Sequence, residues 1–289
     1  MRYVRTPRRS SWPEPGPGFS AIALGASLLT RPEVVHCLHY ADAAGAARGR
    51  APVVLKLTGT VLPDRISGLD ARLLASALER SAEIWVNSPW AAEQMAGFGV
   101  PLRVVPAGLH TSRFVPGLRA DQPLVVCAAS GFEPRKRVQL LLEAWPAVRA
   151  ALPGAQLVLA GPGPVITAEG VRSVGLLEDV DLAALYARAW VVVAPALYEA
   201  LGLVTLEALA SGTPVAGPRS GATADLLADP RTGALAAGLG AEDLAEAVIA
   251  AALLSQQPGT AQRCREVALR YDWAQVLPQV LEGYGRVLR

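Results

Sequence analysis

The sequence predicts an α/β protein of two domains, and three observations lead there. Short apolar runs bounded by turn residues alternate along the chain with segments of helical period, the pattern of an alternating α/β architecture. The 289 residues suit two domains of about 100–200 residues each. Apolar residues make up 52% of the chain, enough for large cores and too much for disorder.

Taken in order, Met1–Gly18 carries Arg2, Arg5, Arg8 and Arg9, then Trp12 and Pro-Gly repeats. Arg2–Thr6 can form a short strand and Gly16–Gly18 a glycine loop ahead of a helix at Phe19–Leu29; a tail is the alternative. Val34–His39 reads as a buried strand. Its His36 and His39 are three apart and point to opposite faces, so they cannot share a metal ion. Pro52–Thr60 is the next strand with its exit loop, and Thr58 and Gly59 stand at the strand end that open α/β sheets use for ligands. Leu69–Arg80 has the period of an amphipathic helix, Glu83–Ser88 is a strand and Pro89–Phe98 a helix. Leu102–Pro106 leads into the loop Ala107–Pro116, which contains His110.

Pro123–Ala129 opens the second domain as a buried strand. Ser130–Arg137 (SGFEPRKR) follows as a loop, then the helix Val138–Ala151, the strand Ala155–Ala160 and the glycine loop Gly161-Pro162-Gly163. Val171–Gly175 is a short strand, Asp181–Ala189 a helix and Val191–Pro195 a strand. Asp179-Val180-Asp181 stands at a helix start, where capping explains it. Val215–Gly217, Ala222–Leu227, Ala234–Ala237 and the helix Ala241–Leu254 continue the alternation, and Gln262–Tyr271 and Leu277–Leu288 are helical.

The most informative stretch is Pro195–Gly217, PALYEALGLVTLEALASGTPVAG. It reads as a strand end, a loop with Glu199, a helix with Glu207 and a Gly212-Thr213-Pro214 turn. Leu203, Leu206 and Ala210 fall on one buried helical face. Gly202 marks the loop-to-helix junction, where a ligand can approach the backbone with no Cβ in the way. The first helical N–H groups lack intrahelical partners and lie at the positive end of the dipole, which suits a phosphate. Two carboxylates flank the same space, one able to accept bonds from sugar hydroxyls and the other from a ribose.

This stretch resembles the E-x7-E signature of retaining glycosyltransferases of family 4, the glycosyl transferases of group 1. The resemblance implies a GT-B fold, two Rossmann-like domains facing a central cleft, with the N-terminal domain reduced. It gives an acceptor domain at 1–117, a nucleotide-sugar donor domain at 118–274, and a terminal helix at 275–289 crossing back to the first domain. It implies that Glu199 and Lys136 are the catalytic pair. Glu207 would hold the ribose, and Gly161, Val174, Leu201, Gly202, Leu203 and Val204 would line the donor site. The family places an Arg where Gly131 stands, so Arg135 or Arg137 would substitute for it on the diphosphate. Candidates for the acceptor cleft are Gly16, Gly18, His36, Thr58, Gly59 and His110. The family often has His where Thr58 stands, and no catalytic role carries over there. Family members usually have a second strand and more helix ahead of the strand resembling Val34–His39, so the resemblance implies a first domain shorter by about 50 residues.

Chemistry and composition fill in the rest. The implied reaction moves a sugar from a nucleotide-diphosphate sugar to an acceptor hydroxyl by a front-face route, with no metal, no cofactor and no covalent nucleophile. The alternative is a degenerate partner subunit that only binds the nucleotide sugar. A nicotinamide dehydrogenase would want Gly-x-Gly-x-x-Gly, and Gly161-Pro162-Gly163 lacks the third glycine. Net charge is +2, which gives no case for nucleic-acid binding. Residues 1–117 hold 13 Lys/Arg against 8 Asp/Glu, and residues 118–289 hold 14 against 17. A basic first domain suits an anionic acceptor or peripheral contact with an anionic membrane face. Cys37, Cys127 and Cys264 lie far apart in apolar surroundings and read as reduced thiols of a cytoplasmic protein. The apolar runs fall short of the roughly 18 residues that span a bilayer, and no signal peptide is expected.

Overall fold

Strands covered on both faces read as near-continuous apolar runs, as Leu124–Ala128 (LVVCA) and Val191–Val193 (VVV) do. A computed structural model describes residues 24, 25, 28, 32–129 and 134–289. The chain divides into two compact units, one ending at Ala107 and including Val276–Arg289, the other Gly108–Gln275. The division falls ahead of the 117/118 boundary expected from sequence. Between the two positions, Leu109 exchanges backbone hydrogen bonds with Tyr271 and Trp273 (2.7 and 3.2 Å), and the Thr111 hydroxyl donates to Asp272 at 2.5 Å. These bonds tie 108–117 to the second unit's own last residues.

In the first unit β1 (Val35–Cys37), α1 (Tyr40–Ala46), β2 (Val53–Leu57), α2 (Gly68–Arg80), β3 (Glu83–Val86), α3 (Pro89–Met95) and β4 (Arg103–Val104) alternate. The strands form a parallel sheet in the order β1-β2-β3-β4. One face carries Cys37, Leu55, Ile84 and Val86 against Ala43, Leu74 and Met95 of the helices. The other carries Val54, Trp85 and Val105 against Val280 and Tyr284, which belong to the last helix, α10 (Trp273–Val287). Gly283 is required there, because a Cβ would sit 2.2 Å from the Trp85 ring. Trp85 is fully buried, and burying an aromatic of this size contributes about 2–3 kcal/mol.

Helix α1 was missed in the sequence. Its YADAAGA run is nearly all small and buried, so it has no polar face from which to read a period. It also shortens the expected strand Val34–His39, because His39 leaves the sheet and caps α1, accepting the Ala41 N–H at 3.1 Å. The expected helix Pro89–Phe98 ends at Met95 and continues as a single 3-10 turn closed by Gly99, whose φ of 64° suits glycine.

The second unit contains β5 (Leu124–Ala128), α4 (Val138–Ala151), β6 (Gln156–Ala160), β7 (Thr167–Ala168), β8 (Val171–Gly175), α5 (Asp179–Arg188) and β9 (Val191–Val193). These are followed by α6 (Leu203–Ala210), β10 (Val215–Pro218), α7 (Ala222–Leu226), β11 (Gly233–Ala236), α8 (Ala241–Leu254) and α9 (Thr260–Leu269). Seven strands order as β11-β10-β9-β5-β6-β8-β7, parallel except for the β7–β8 hairpin. The order reverses beside β5, so the ends of β5 and β9 form the crevice where such sheets bind ligands. The core packs Val125, Leu157, Val191 and Val193 against Leu141, Trp145 and Val148 of α4 and Val248 of α8. All three cysteines are buried and unpaired. Among the described residues no helix is long and apolar enough to cross a membrane.

Candidate functional site

Three loops at the strand ends of the second unit assemble the site. After β9 the chain runs through Tyr198, which adopts a left-handed φ of 59°, to Glu199. The Glu199 carbonyl accepts the Ala222 N–H at 2.8 Å. Gly221 lies so close that a Cβ would stand 2.6 Å from the Glu199 nitrogen. The second loop is a 3-10 turn, Pro134–Lys136, whose Arg135 carbonyl accepts the Leu197 N–H at 3.2 Å. This backbone bond brings the two loops together. Lys136 Nζ then reaches Glu199 Oε1 at 2.8 Å, and Arg135 Nη1 reaches the same oxygen at 3.0 Å.

Arg137 goes elsewhere. It sits in the left-handed region ahead of α4, φ 52°, and its guanidinium donates to the Leu239 carbonyl. The sequence left Arg135 and Arg137 as alternatives, and only Arg135 meets Glu199. Gly131 lies outside the described residues.

Helix α6 is preceded by Gly202 at its N-cap, whose φ of 77° and ψ of 56° favour glycine. No side chain caps this helix start. The Thr205 hydroxyl in the first turn is buried without a hydrogen-bond partner. Leu201 is buried, but Leu203, expected on the buried face, is 48% exposed. It is the first helical residue and its side chain precedes the packed turn, whereas Leu206 and Ala210 are fully buried. Val204 is half-buried.

Glu207 lies one turn further on. The fully buried Tyr186 donates its hydroxyl to Glu207 Oε2 at 3.4 Å. Burial pushes the Glu207 carboxyl up to about 7, with the Tyr186 bond opposing the rise and Asp179 adding to it. Asp179 itself opens α5 and pairs with Arg113 at 3.0 Å. It and Asp181 stand in the first turn, where a carboxylate suits the dipole, rather than at the expected cap.

The third loop follows β6. Gly161, φ 125°, packs so tightly that a Cβ would lie 1.9 Å from the Ala129 carbonyl oxygen. Its N–H donates to the Gly175 carbonyl at 2.7 Å. Register slips here, Ser173 facing Leu159 and Gly175 facing Ala160, so Val174 is the extra residue of a bulge with its backbone groups outside the ladder. Gly161, Gly163, Ser173 and Gly175 line a small cavity floored by Cys127, Val138 and Leu159.

Two arginines that the sequence reading passed over brace this region. Arg119 donates to the Thr213 hydroxyl at 2.6 Å and the Ala187 carbonyl at 3.1 Å. Arg265 donates to the carbonyls of Phe114 and Ala210 at 2.7 and 2.6 Å. Both lie outside any local motif, and their partners are 55 or more residues away along the chain.

In the first unit His36 Nδ1 is 2.5 Å from the Tyr284 hydroxyl, with the Trp85 ring edge-on at 5.2 Å. Desolvation, then the charge of Lys56, lowers its pKa to about 4. Lys56 is buried and donates to the Val105 carbonyl, and burial lowers it to about 8. Thr58 is exposed at the end of β2 and its hydroxyl donates to the Leu38 carbonyl at 3.2 Å. Gly59 beside it has open space around it. His110 does not join this group. It belongs to the second unit, exposed, with its ring 6.3 Å from that of Trp273. Gly16 and Gly18 lie outside the described residues.

Comparison with known proteins bears on both the sequence and the fold. Residues 122–253 match the family described as "Glycosyl transferases group 1". The chain is similar to a phosphatidyl-myo-inositol mannosyltransferase of Propionibacterium freudenreichii, 31% identical over 238 residues, covering 80% of this chain and 60% of that protein. It is also similar to a D-inositol 3-phosphate glycosyltransferase of Mycobacteroides abscessus, 32% identical, covering 66% and 45%. The chain thus spans about half to three fifths of the length of these relatives. Among solved structures, Anabaena HepE in complex with UDP and glucose superposes with a TM-score of 0.76 at 17% identity, covering 93% of this chain and 82% of that one. At that identity the likeness speaks for the fold alone, which is GT-B.

Proposed function

We propose, for a chain that belongs to the glycosyl transferases of group 1 through residues 122–253, that it transfers a sugar from a nucleotide-diphosphate sugar to an acceptor hydroxyl. The observation that carries this reading is the convergence of Lys136 and Glu199 at 2.8 Å beside the α6 start that holds Glu207. A phosphate cation, a sugar-facing carboxylate and a ribose-facing carboxylate are then supplied by one strand-end crevice.

In this reading Lys136 stabilises charge building on the leaving diphosphate. The N–H groups of Leu203 and Val204 face a phosphate oxygen at the helix start. Glu207 accepts from the ribose hydroxyls and Glu199 from those of the sugar. The backbone of the Val174 bulge takes the base, while Gly161 holds its loop close against the Ala129 carbonyl. The leaving phosphate takes the acceptor's proton on the same face, so configuration is retained and no metal or covalent nucleophile is required. The protein contributes positioning and electrostatics.

Acceptor recognition is assigned to the strand ends of the first unit, around His36, Thr58 and Gly59. The relatives' names print phosphatidyl-myo-inositol and D-inositol 3-phosphate, one is a mannosyltransferase, and a further relative, of Mycolicibacterium smegmatis, is named as GDP-mannose-dependent. GDP-mannose with an inositol phosphate or its lipid is therefore the first donor–acceptor pair to try, in an enzyme working in the cytoplasm at the inner membrane face.

The test is a melting-temperature panel with UDP, GDP, ADP and their sugar conjugates. A ligand at 100 times its Kd should stabilise by about 2.7 kcal/mol. One nucleotide should raise the melting point, and both Lys136→Ala and Glu207→Ala should blunt the response. A folded chain that answers to no nucleotide would sink the donor reading.

A further inference from the structure

We propose that Arg135 and Lys136 together form the cation pair for the donor's diphosphate, and that the Glu199 side chain holds this pair until the diphosphate displaces it. The proposal rests on the donor reading above and deepens it. Lys136 Nζ and Arg135 Nη1 meet on a single oxygen, Glu199 Oε1, at 2.8 and 3.0 Å. One carboxylate between two cations leaves a surplus positive charge. A diphosphate offers more charge and more acceptor oxygens, and it can take both donors with separate charge-assisted bonds.

The backbone around this cluster is fixed while its side chains are reachable. Glu199 is anchored through its carbonyl to Ala222, and Arg135 through its carbonyl to Leu197. The side chains of Arg135, Lys136 and Glu199 are 40%, 17% and 23% exposed. Exchange then needs only a rotation of the Glu199 carboxylate. Arg137 is no competitor for this role, because its guanidinium is committed to the Leu239 carbonyl. The displaced carboxylate becomes available to the donor sugar, so diphosphate binding and sugar recognition are coupled through one side chain.

The experiment is titration calorimetry of the full chain with UDP, GDP and ADP and with the matching monophosphates. Wild type should prefer one diphosphate over its monophosphate. Arg135→Gln should lose about tenfold on that diphosphate, the scale of one charge-assisted bond, and stay within about twofold on the monophosphate. Arg137→Gln should keep the wild-type preference. Glu199→Gln should bind the bare diphosphate several-fold tighter, a gain that damage to folding cannot produce. An Arg135→Gln variant with the wild-type preference, or a Glu199→Gln variant that binds the diphosphate no tighter, overturns the proposal. A wild type that binds no diphosphate overturns the donor reading itself, which is a separate result.

Discussion

The fold changes the chemistry of Glu207 within the site. Burial raises its pKa from 4.5 to about 7, so the folded chain holds a proton there that the unfolded chain has released. That stabilisation is complete below 4.5 and is lost as pH rises through 7. Glu207→Gln keeps the neutral form and should flatten the decline in stability between these values, by up to about 3 kcal/mol at the alkaline end. Denaturant melts across that range would read this, and an unchanged slope would contradict it. Binding follows the opposite course, since a carboxylate accepts ribose hydroxyls better than a carboxylic acid does. Nucleotide affinity should rise as pH passes 7, and Tyr186→Phe, by removing the one bond that favours ionisation, should move that rise to higher pH. His36 is exposed as a residue, yet its ring loses hydration against Trp85 and Tyr284. Its pKa of about 4 means that stability falls as pH drops from 6.5 towards 4.

At the scale of elements, the site depends on loops held by backbone contacts. Gly221→Ala would place a Cβ 2.6 Å from the Glu199 backbone at a φ of 66°. Strain of that kind costs about 1–3 kcal/mol. The variant should remain folded but lose most of its response to sugar nucleotides, and an undiminished response would show that the Glu199 loop tolerates displacement. Arg119 connects the end of α5 to the Gly212-Thr213 turn behind α6. Arg119→Met should lower stability by about 2–4 kcal/mol, because it leaves several buried acceptors unpaired, readable in a denaturant melt.

The sequence made the long Val- and Leu-rich strands legible, as well as α2, α4 and α8, because runs and periods are local signals. The Glu199–Glu207 spacing and Gly202 were legible for the same reason. Three things were not. The Ala-rich α1 has no period, the Val174 bulge is a property of pairing between strands, and the choice between Arg135 and Arg137 turns on one backbone dihedral. The supports from Arg119, Arg265 and Tyr186 come from residues distant in the chain, and no spacing rule points to them.

Among the described residues each unit has its own core. Nucleotide contacts are assigned to the second alone, so calorimetric melting with the preferred diphosphate should raise chiefly the transition belonging to Gly108–Gln275. Catalysis is the central claim, and release of nucleoside diphosphate from sugar nucleotides measures it most directly. The full chain would be incubated with GDP-mannose and the UDP-sugars, with and without an inositol phosphate acceptor. Phosphorus NMR would follow the diphosphate, and proton NMR the anomeric configuration of the product. The account predicts acceptor-dependent release from one donor, retained configuration, and loss of turnover in Lys136→Ala. A chain that binds the diphosphate yet releases none from any donor with any acceptor would contradict it and leave a nucleotide-sugar-binding subunit in its place.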